Sequence, residues 1–297
     1  MNNVNFLGHS VSKLIVGDNP FNGHSYITAY IPSNEMKGYH TEDKILEAID
    51  KMEELGINTM LPLADPYIIR ILQHYRNNGG KMNFIFQTFG PMMMHHDVAE
   101  VGIKQMLSVD PIGIYISGTY NDVRFETGRK QEIIDMISVF RKNEDLRKHP
   151  YEVKLGLGTH HPALIELSEE EDWNVDFYMA CMYNLRRNRE GEESGFITGK
   201  DKSSVRPIYP GDREIMLKTL KKVQKPIIAF KIFAGGQMLV EKSEEERRAL
   251  IKDTYETIFT SLKPNDIAVM GIFQKYHDQL TENVSVYNEW YAEKGGC

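Results

Sequence analysis

The sequence predicts a (β/α)8 TIM barrel: one α/β domain over residues 1–297, entered through an N-terminal β-hairpin and carrying long βα lid loops. Three features point to it. Short apolar runs, rich in β-branched and aromatic residues, recur eight times along the chain. Between them lie stretches whose apolar residues have helical spacing, several opened by a capping residue. No Pro-, Gly- or Ser-rich linker divides the chain, so the alternating units read as one sheet wrapped by helices.

Taken in order, Val4–Leu7 and Val11–Leu14 form a hairpin through Gly8-His9-Ser10 and feed the first buried strand, Leu14–Gly17. A long loop, Asp18–His40, follows. Thr41 caps a helix whose stripe is Ile45, Ala48, Ile49 and Met52, and Gly56 closes it. Ile57–Leu63 is the second strand and Pro66–Tyr75 the next helix. Met82–Gln87 is the third strand, with a helix across Val98–Leu107. Ile112–Ile116 is the fourth, followed by a helix over Lys130–Arg141 with Ile133, Ile134, Met136, Ile137 and Phe140 on one face. The fifth strand, Lys154–Thr159, is tight with glycine and ends in His160-His161, after which Pro162 opens a helix. Val175–Ala180 is the sixth, then come a polar excursion, Asn184–Gly211, and a helix from Asp212 to about Val223. Pro226–Lys231 is the seventh, and Ser243–Glu246 is a capping box for a helix bearing Leu250, Ile251, Tyr255, Ile258 and Leu262. Ile267–Gly271 is the eighth, and Gln279–Ala292 the last helix.

Composition narrows the partners. A formal charge of −7 and an acidic pI argue against nucleic acid. No apolar run is long enough to span a membrane, and the N-terminus lacks the regions of a signal peptide. Two cysteines, Cys181 and Cys297, suggest a reducing cytoplasm rather than a disulfide framework. The expected partner is a small-molecule substrate, with a homo-oligomer left open.

Several stretches also carry a likeness. They are Leu7-Gly8 with Val11-Ser12-Lys13-Leu14 and Gly17, then Leu55-Gly56-Ile57-Asn58-Thr59, and then Met270-Gly271 through Asp278-Gln279-Leu280 to Glu282-Asn283. Tyr183-Asn184 and Ala229-Phe230 add to them. Together they resemble the aldo/keto reductase superfamily from its N-terminal hairpin to the end of its barrel. The resemblance implies that fold, and implies that the tail lies where the family grips the adenosine part of NADP. It does not extend to the catalytic tetrad. The family's aspartate would fall at Leu61, its tyrosine near Pro66 with Tyr67 one position away, its lysine at Thr88 or Gln87, and its histidine at Ser117. Thr159-His160 and Ala180 replace the residues that hold the nicotinamide amide. What is implied is a divergent member without the tetrad and with weak or absent NADP binding, so NADP and a divalent metal both remain unassigned.

Barrel enzymes carry their sites on the loops after the strands, and the chemically useful residues of this chain collect there. His160, Lys231, Tyr183 and Asp18 are the catalytic candidates. Asn19, His24, Asp65, Gln87 and Asn184 are the substrate-binding candidates, with Thr88, His161 and Gln274 nearby in the chain. Adjacent histidines on a strand point to opposite sides, so His160 should line the mouth as a base or metal ligand while His161 caps the next helix. Lys231 is an imine-forming amine, a fixed cation for an oxyanion or phosphate, or a buried partner of Asp18 or Asp65. Asp18, in a turn sequence with Asn19-Pro20, is a base, a ligand or a loop cap. Tyr183 is a proton donor or a stacking wall, and Cys181 reads as core. His95-His96 and the basic cluster Arg186, Arg187 and Arg189 read as a loop and a solvated lid. Three functions fit: proton-transfer, lyase or isomerase chemistry on a small carbonyl or sugar-derived compound, a divergent NADP-dependent oxidoreductase, or a non-catalytic binding barrel.

Overall fold

The computed structural model describes residues 1–90, 96–185 and 208–295. Its centre is a closed ring of parallel strands in the order β10–β3–β4–β5–β6–β7–β8–β9. These are β3 (Leu14–Gly17), β4 (Thr59–Leu61), β5 (Asn83–Gln87), β6 (Gly113–Ile116), β7 (Lys154–Thr159), β8 (Phe177–Cys181), β9 (Ile227–Phe230) and β10 (Ile267–Gly271). The expected (β/α)8 barrel is therefore the fold. Strand alternation sorts two cores. Ile15, Leu61, Ile85, Tyr115, Met179 and Val269 fill the barrel, while Leu14, Val16, Met60, Phe84, Leu157 and Ala229 face the helices.

The hairpin, β1 (Asn3–Phe6) and β2 (His9–Ser12), closes the N-terminal end of the barrel. Phe6 is fully buried and meets Phe177 edge-on at 5.9 Å between ring centroids. The turn is not Gly8-His9-Ser10. Leu7 and Gly8, at φ 56° and 88°, form a two-residue turn, and Phe6 pairs with His9. The second hairpin strand accordingly ends at Ser12, before Leu14 begins the barrel.

The outer helices are α1 (Ser33–Tyr39), α2 (Glu42–Glu54), α3 (Pro66–Asn77), α4 (His96–Leu107), α5 (Gly118–Glu126), α6 (Lys130–Lys142), α7 (Glu144–Lys148), α8 (Pro162–Glu170), α9 (Pro210–Leu220), α10 (Glu244–Ser261) and α11 (Gln279–Glu293). The capping signals hold where side chains could act. Thr41 accepts from the Lys44 amide, and Ser243 with Glu246 closes the capping box. Three helices depart from the sequence reading, one of them α7, which follows α6 where no second helix was expected. The loop after the first barrel strand contains α1, and α5 stands directly after β6 where no helix was expected. The buried face of α5 is Gly118, Asn121 and Asp122, so it carries no apolar stripe to announce it. His95, Arg186, Arg187, Arg189 and most of the 184–211 excursion lie outside the described residues.

Two glycines bring α5 against β7. A Cβ on Gly158 would lie 3.0 Å from the Gly118 amide nitrogen and 3.0 Å from the Ile116 carbonyl. With no Cβ there, Asn121 Nδ2 donates to the carbonyls of Ile116 (3.0 Å) and Gly158 (2.9 Å), which locks the start of α5 onto the end of the strand. Gly156 has a different neighbour: its Cβ would enter the Phe177 ring at 2.4 Å. That face of β7 is thus the barrel interior, and His160 continues it.

Candidate active site

At the C-terminal ends of the strands opens a cavity of about 810 Å³, within the range of small-molecule sites. Leu61, Met179 and Val269 contribute to its apolar lining, and Asn19, Gln87, Ser117 and Thr119 are among its polar groups. His160, Lys231, Asp18, Asn19, His24 and Gln87 all line it. Tyr115 is fully buried in the barrel, and its hydroxyl donates to Gln87 Oε1 at 2.6 Å, fixing that amide.

Asp122, a residue that the sequence reading passed over, organises one wall. It is fully buried on α5. Its Oδ1 accepts from the Thr159 hydroxyl at 2.6 Å and from the His160 amide at 3.1 Å, and its Oδ2 accepts from His160 Nδ1 at 2.6 Å. A carboxylate can only accept, so Nδ1 carries the imidazole proton and Nε2 is left as an acceptor. At Nε2 stands the Lys231 ammonium, 2.7 Å away. The result is a hydrogen-bonded chain, Asp122–His160–Lys231, running from the helix layer to the cavity.

Lys231 reaches that position through an unusual backbone. Ile228 and Phe230 face the barrel interior, so alternation alone would send Lys231 outward. Its φ of +54° instead places it in the left-handed region and turns the side chain over the mouth. The ammonium lies 4.6 Å from the Tyr26 ring centroid and 5.5 Å from that of Phe230, and the Phe230 ring meets His160 edge-on at 5.3 Å. Neither expected acidic partner holds Lys231. Asp65 caps α3, accepting from the Tyr67 amide at 2.9 Å. Asp18 is buried after β3, where its Oδ2 accepts from the Leu63 amide at 2.8 Å and from Asn22 at 2.7 Å. Burial outweighs those hydrogen bonds and pushes the Asp18 carboxyl up to about 7.

The remaining candidates fall elsewhere. Tyr183 is buried in the outer core, with the Arg213 guanidinium 6.0 Å from its ring centroid, and Asn184 is held through its amide by Asp212 at 3.0 Å. Neither these two residues nor Asp65 belongs to the cavity wall. His161 occupies the N-cap position of α8, but its ring bonds Glu126 at 2.5 Å instead of capping the helix. Among the described residues, no group of three or more His, Cys, Asp or Glu side chains is placed to hold a metal ion.

Where the resemblance implies the adenosine part of NADP, several polar groups are already engaged with one another. Arg247 pairs with Glu282 at 3.0 Å, Asp278 accepts from the Thr281 amide at 3.0 Å, and Gln274 accepts from the Leu280 amide at 3.1 Å. The Asp278 carboxylate caps the start of α11, the place at a helix N-terminus that an anion would otherwise take.

The sequence matches no family model and no curated protein sequence. Similarity appears in the fold. The chain is similar to an aldo-keto reductase from Bacillus halodurans in its holo form, with 12% identity and a TM-score of 0.57 over 97% of this chain and 90% of that one. It is similar as well to a truncated 3-deoxy-D-arabino-heptulosonate 7-phosphate synthase from Thermotoga maritima, at 11% identity and TM-score 0.51, covering 99% and 91%. A Yersinia pestis dihydropteroate synthase in complex with a sulfonamide drug gives 9% identity and TM-score 0.51, covering 98% of each chain. The chain is thus a (β/α)8 barrel similar in fold to these three enzymes, and the likenesses extend to the fold alone. No helix among the described residues is long and apolar enough to cross a membrane.

Proposed function

We propose that the protein is an enzyme that moves a proton on a small carbonyl or sugar-derived compound, as isomerase or lyase chemistry requires. The observation that supports this reading is the Asp122–His160–Lys231 chain opening into the cavity. Asp122 fixes the imidazole tautomer and stabilises the imidazolium that forms when Nε2 takes a proton. His160 is the acid–base group. Lys231 holds a positive charge where an enolate or alkoxide oxygen would develop. Asp18, raised toward neutral pH, offers a second proton carrier. Asn19, Gln87 and Ser117 supply hydrogen bonds suited to hydroxyl groups.

The test is exchange of carbon-bound hydrogen in deuterium oxide, followed by NMR on dihydroxyacetone, glyceraldehyde and pyruvate. The wild-type protein should catalyse exchange on at least one of them, and His160→Gln should lower the rate by about 10²–10⁴-fold. Exchange no faster than with His160→Gln on every compound would reject the reading and favour a non-catalytic barrel.

A further inference from the structure

We infer that Lys231 is a nucleophile that forms an imine with an aldehyde or ketone, using His160 as the base that frees its amine. The inference rests on the proton-transfer reading above and assigns it a substrate class and a covalent step. A lysine that only supplied charge would gain from a carboxylate neighbour or from hydrogen-bond acceptors that stay neutral. Lys231 instead directs its ammonium at the one basic atom of an imidazole whose other nitrogen is committed to a buried carboxylate. The backbone supports the same arrangement, since a left-handed residue is held there although strand alternation would have carried the side chain away. Around the ammonium stand the rings of Tyr26 and Phe230, which limit its access to water. The cavity leaves room beyond them for a substrate of several carbons.

The step balances. The ammonium gives one proton to His160 Nε2, and the resulting imidazolium is stabilised by Asp122. The free amine adds to the carbonyl carbon, forming the C–N bond while the C=O π electrons move to oxygen, and a proton from nitrogen passes to that oxygen. The carbinolamine hydroxyl then leaves as water with the proton held on His160, and the nitrogen lone pair closes the C=N bond. One ammonium and one carbonyl give one protonated imine and one water, with no oxidant or reductant. The protonated imine then acidifies the adjacent C–H or C–C bond, and His160, again neutral, is placed to accept a proton.

The experiment is competitive labelling of the intact protein at pH 7 with formaldehyde and cyanoborohydride, read lysine by lysine by peptide mass spectrometry. Dihydroxyacetone with borohydride serves as the carbonyl probe. Lys231 should label about 10²-fold faster than Lys148 and Lys222, which lie on exposed faces, in keeping with the lower end of what a positioned base contributes. The advantage should vanish in His160→Gln and fall in Asp122→Asn, and the reduced dihydroxyacetone adduct should map to Lys231 and be absent in Lys231→Met. Circular dichroism of each variant separates a lost base from a lost fold. Labelling at the pace of exposed lysines, with no adduct at Lys231, overturns the imine. If His160-dependent hydrogen exchange persists in that case, the proton-transfer reading survives alone, and if exchange is absent too, both fall.

Discussion

Asp18 and Lys231 are held in states that an isolated residue would avoid, and each state can be measured. The Asp18 carboxyl, pushed up to about 7 chiefly by burial, binds its proton more tightly in the folded chain than in the unfolded one. Its contribution to stability is therefore fully present below about pH 4 and is lost as pH rises through about 7. That span corresponds to at most about 4 kcal/mol. Asp18→Asn keeps an oxygen for the Leu63 amide and cannot ionise. Urea denaturation from pH 4.5 to 8 should show the variant gaining on wild type as pH rises, and a pH-independent difference would mean that Asp18 is ionised throughout. Lys231 carries backbone strain instead. Glycine tolerates its φ of +54°, whereas alanine incurs a cost of about 1–2 kcal/mol. Lys231→Gly should thus exceed Lys231→Ala in stability by about 1 kcal/mol, read from denaturation midpoints. At this scale His160, Lys231 and Asp18 were legible, because polar residues at the ends of apolar strands stand out. The left-handed turn at Lys231 was not, since nothing in Phe230-Lys231-Ile232 announces it.

A helix that the sequence reading left unassigned, α5, separates the sequence picture from the structure at the level of elements. Periodicity finds helices that bury apolar stripes, and α5 buries Gly118, Asn121 and Asp122 instead. Its inward face is polar because it serves backbone carbonyls and His160, so the residue that orders the site belonged to a segment with no readable pattern. The signal that could have found it is weaker: Gly118 just after strand β6, facing Gly158 on the neighbouring strand. Gly158→Ala should force α5 off β7, since two of the nearest atoms to the new Cβ are backbone atoms 3.0 Å away. The expected cost is about 1–3 kcal/mol, accompanied by loss of His160-dependent exchange as Asp122 moves. Gly38→Ala, where nothing lies within 4 Å inside α1, is the control and should be neutral or stabilising by up to about 1 kcal/mol. Equal effects at both glycines would show that the close approach of α5 does not position the site.

Across the whole molecule the barrel divides its labour by end. Repetition made this scale the most legible in the sequence, because eight apolar runs separated by helical stretches leave few closed arrangements. The position of the hairpin turn was less legible, since Leu7 at positive φ is an uncommon choice. In the structure the hairpin fills the N-terminal end with Phe6 against Phe177, while the Asp122–His160–Lys231 chain opens at the other end. Conformational stability should then be adjustable at the hairpin without touching the chemistry. Phe6→Ala removes a fully buried ring and should cost about 3–5 kcal/mol in urea denaturation. Distant sites without shared partners act independently, so hydrogen exchange and Lys231 labelling, measured well below the unfolding transition, should stay within about twofold of wild type. A parallel loss of both would show that the barrel transmits packing changes along its axis, and the site could no longer be treated as a set of loops carried on a rigid frame.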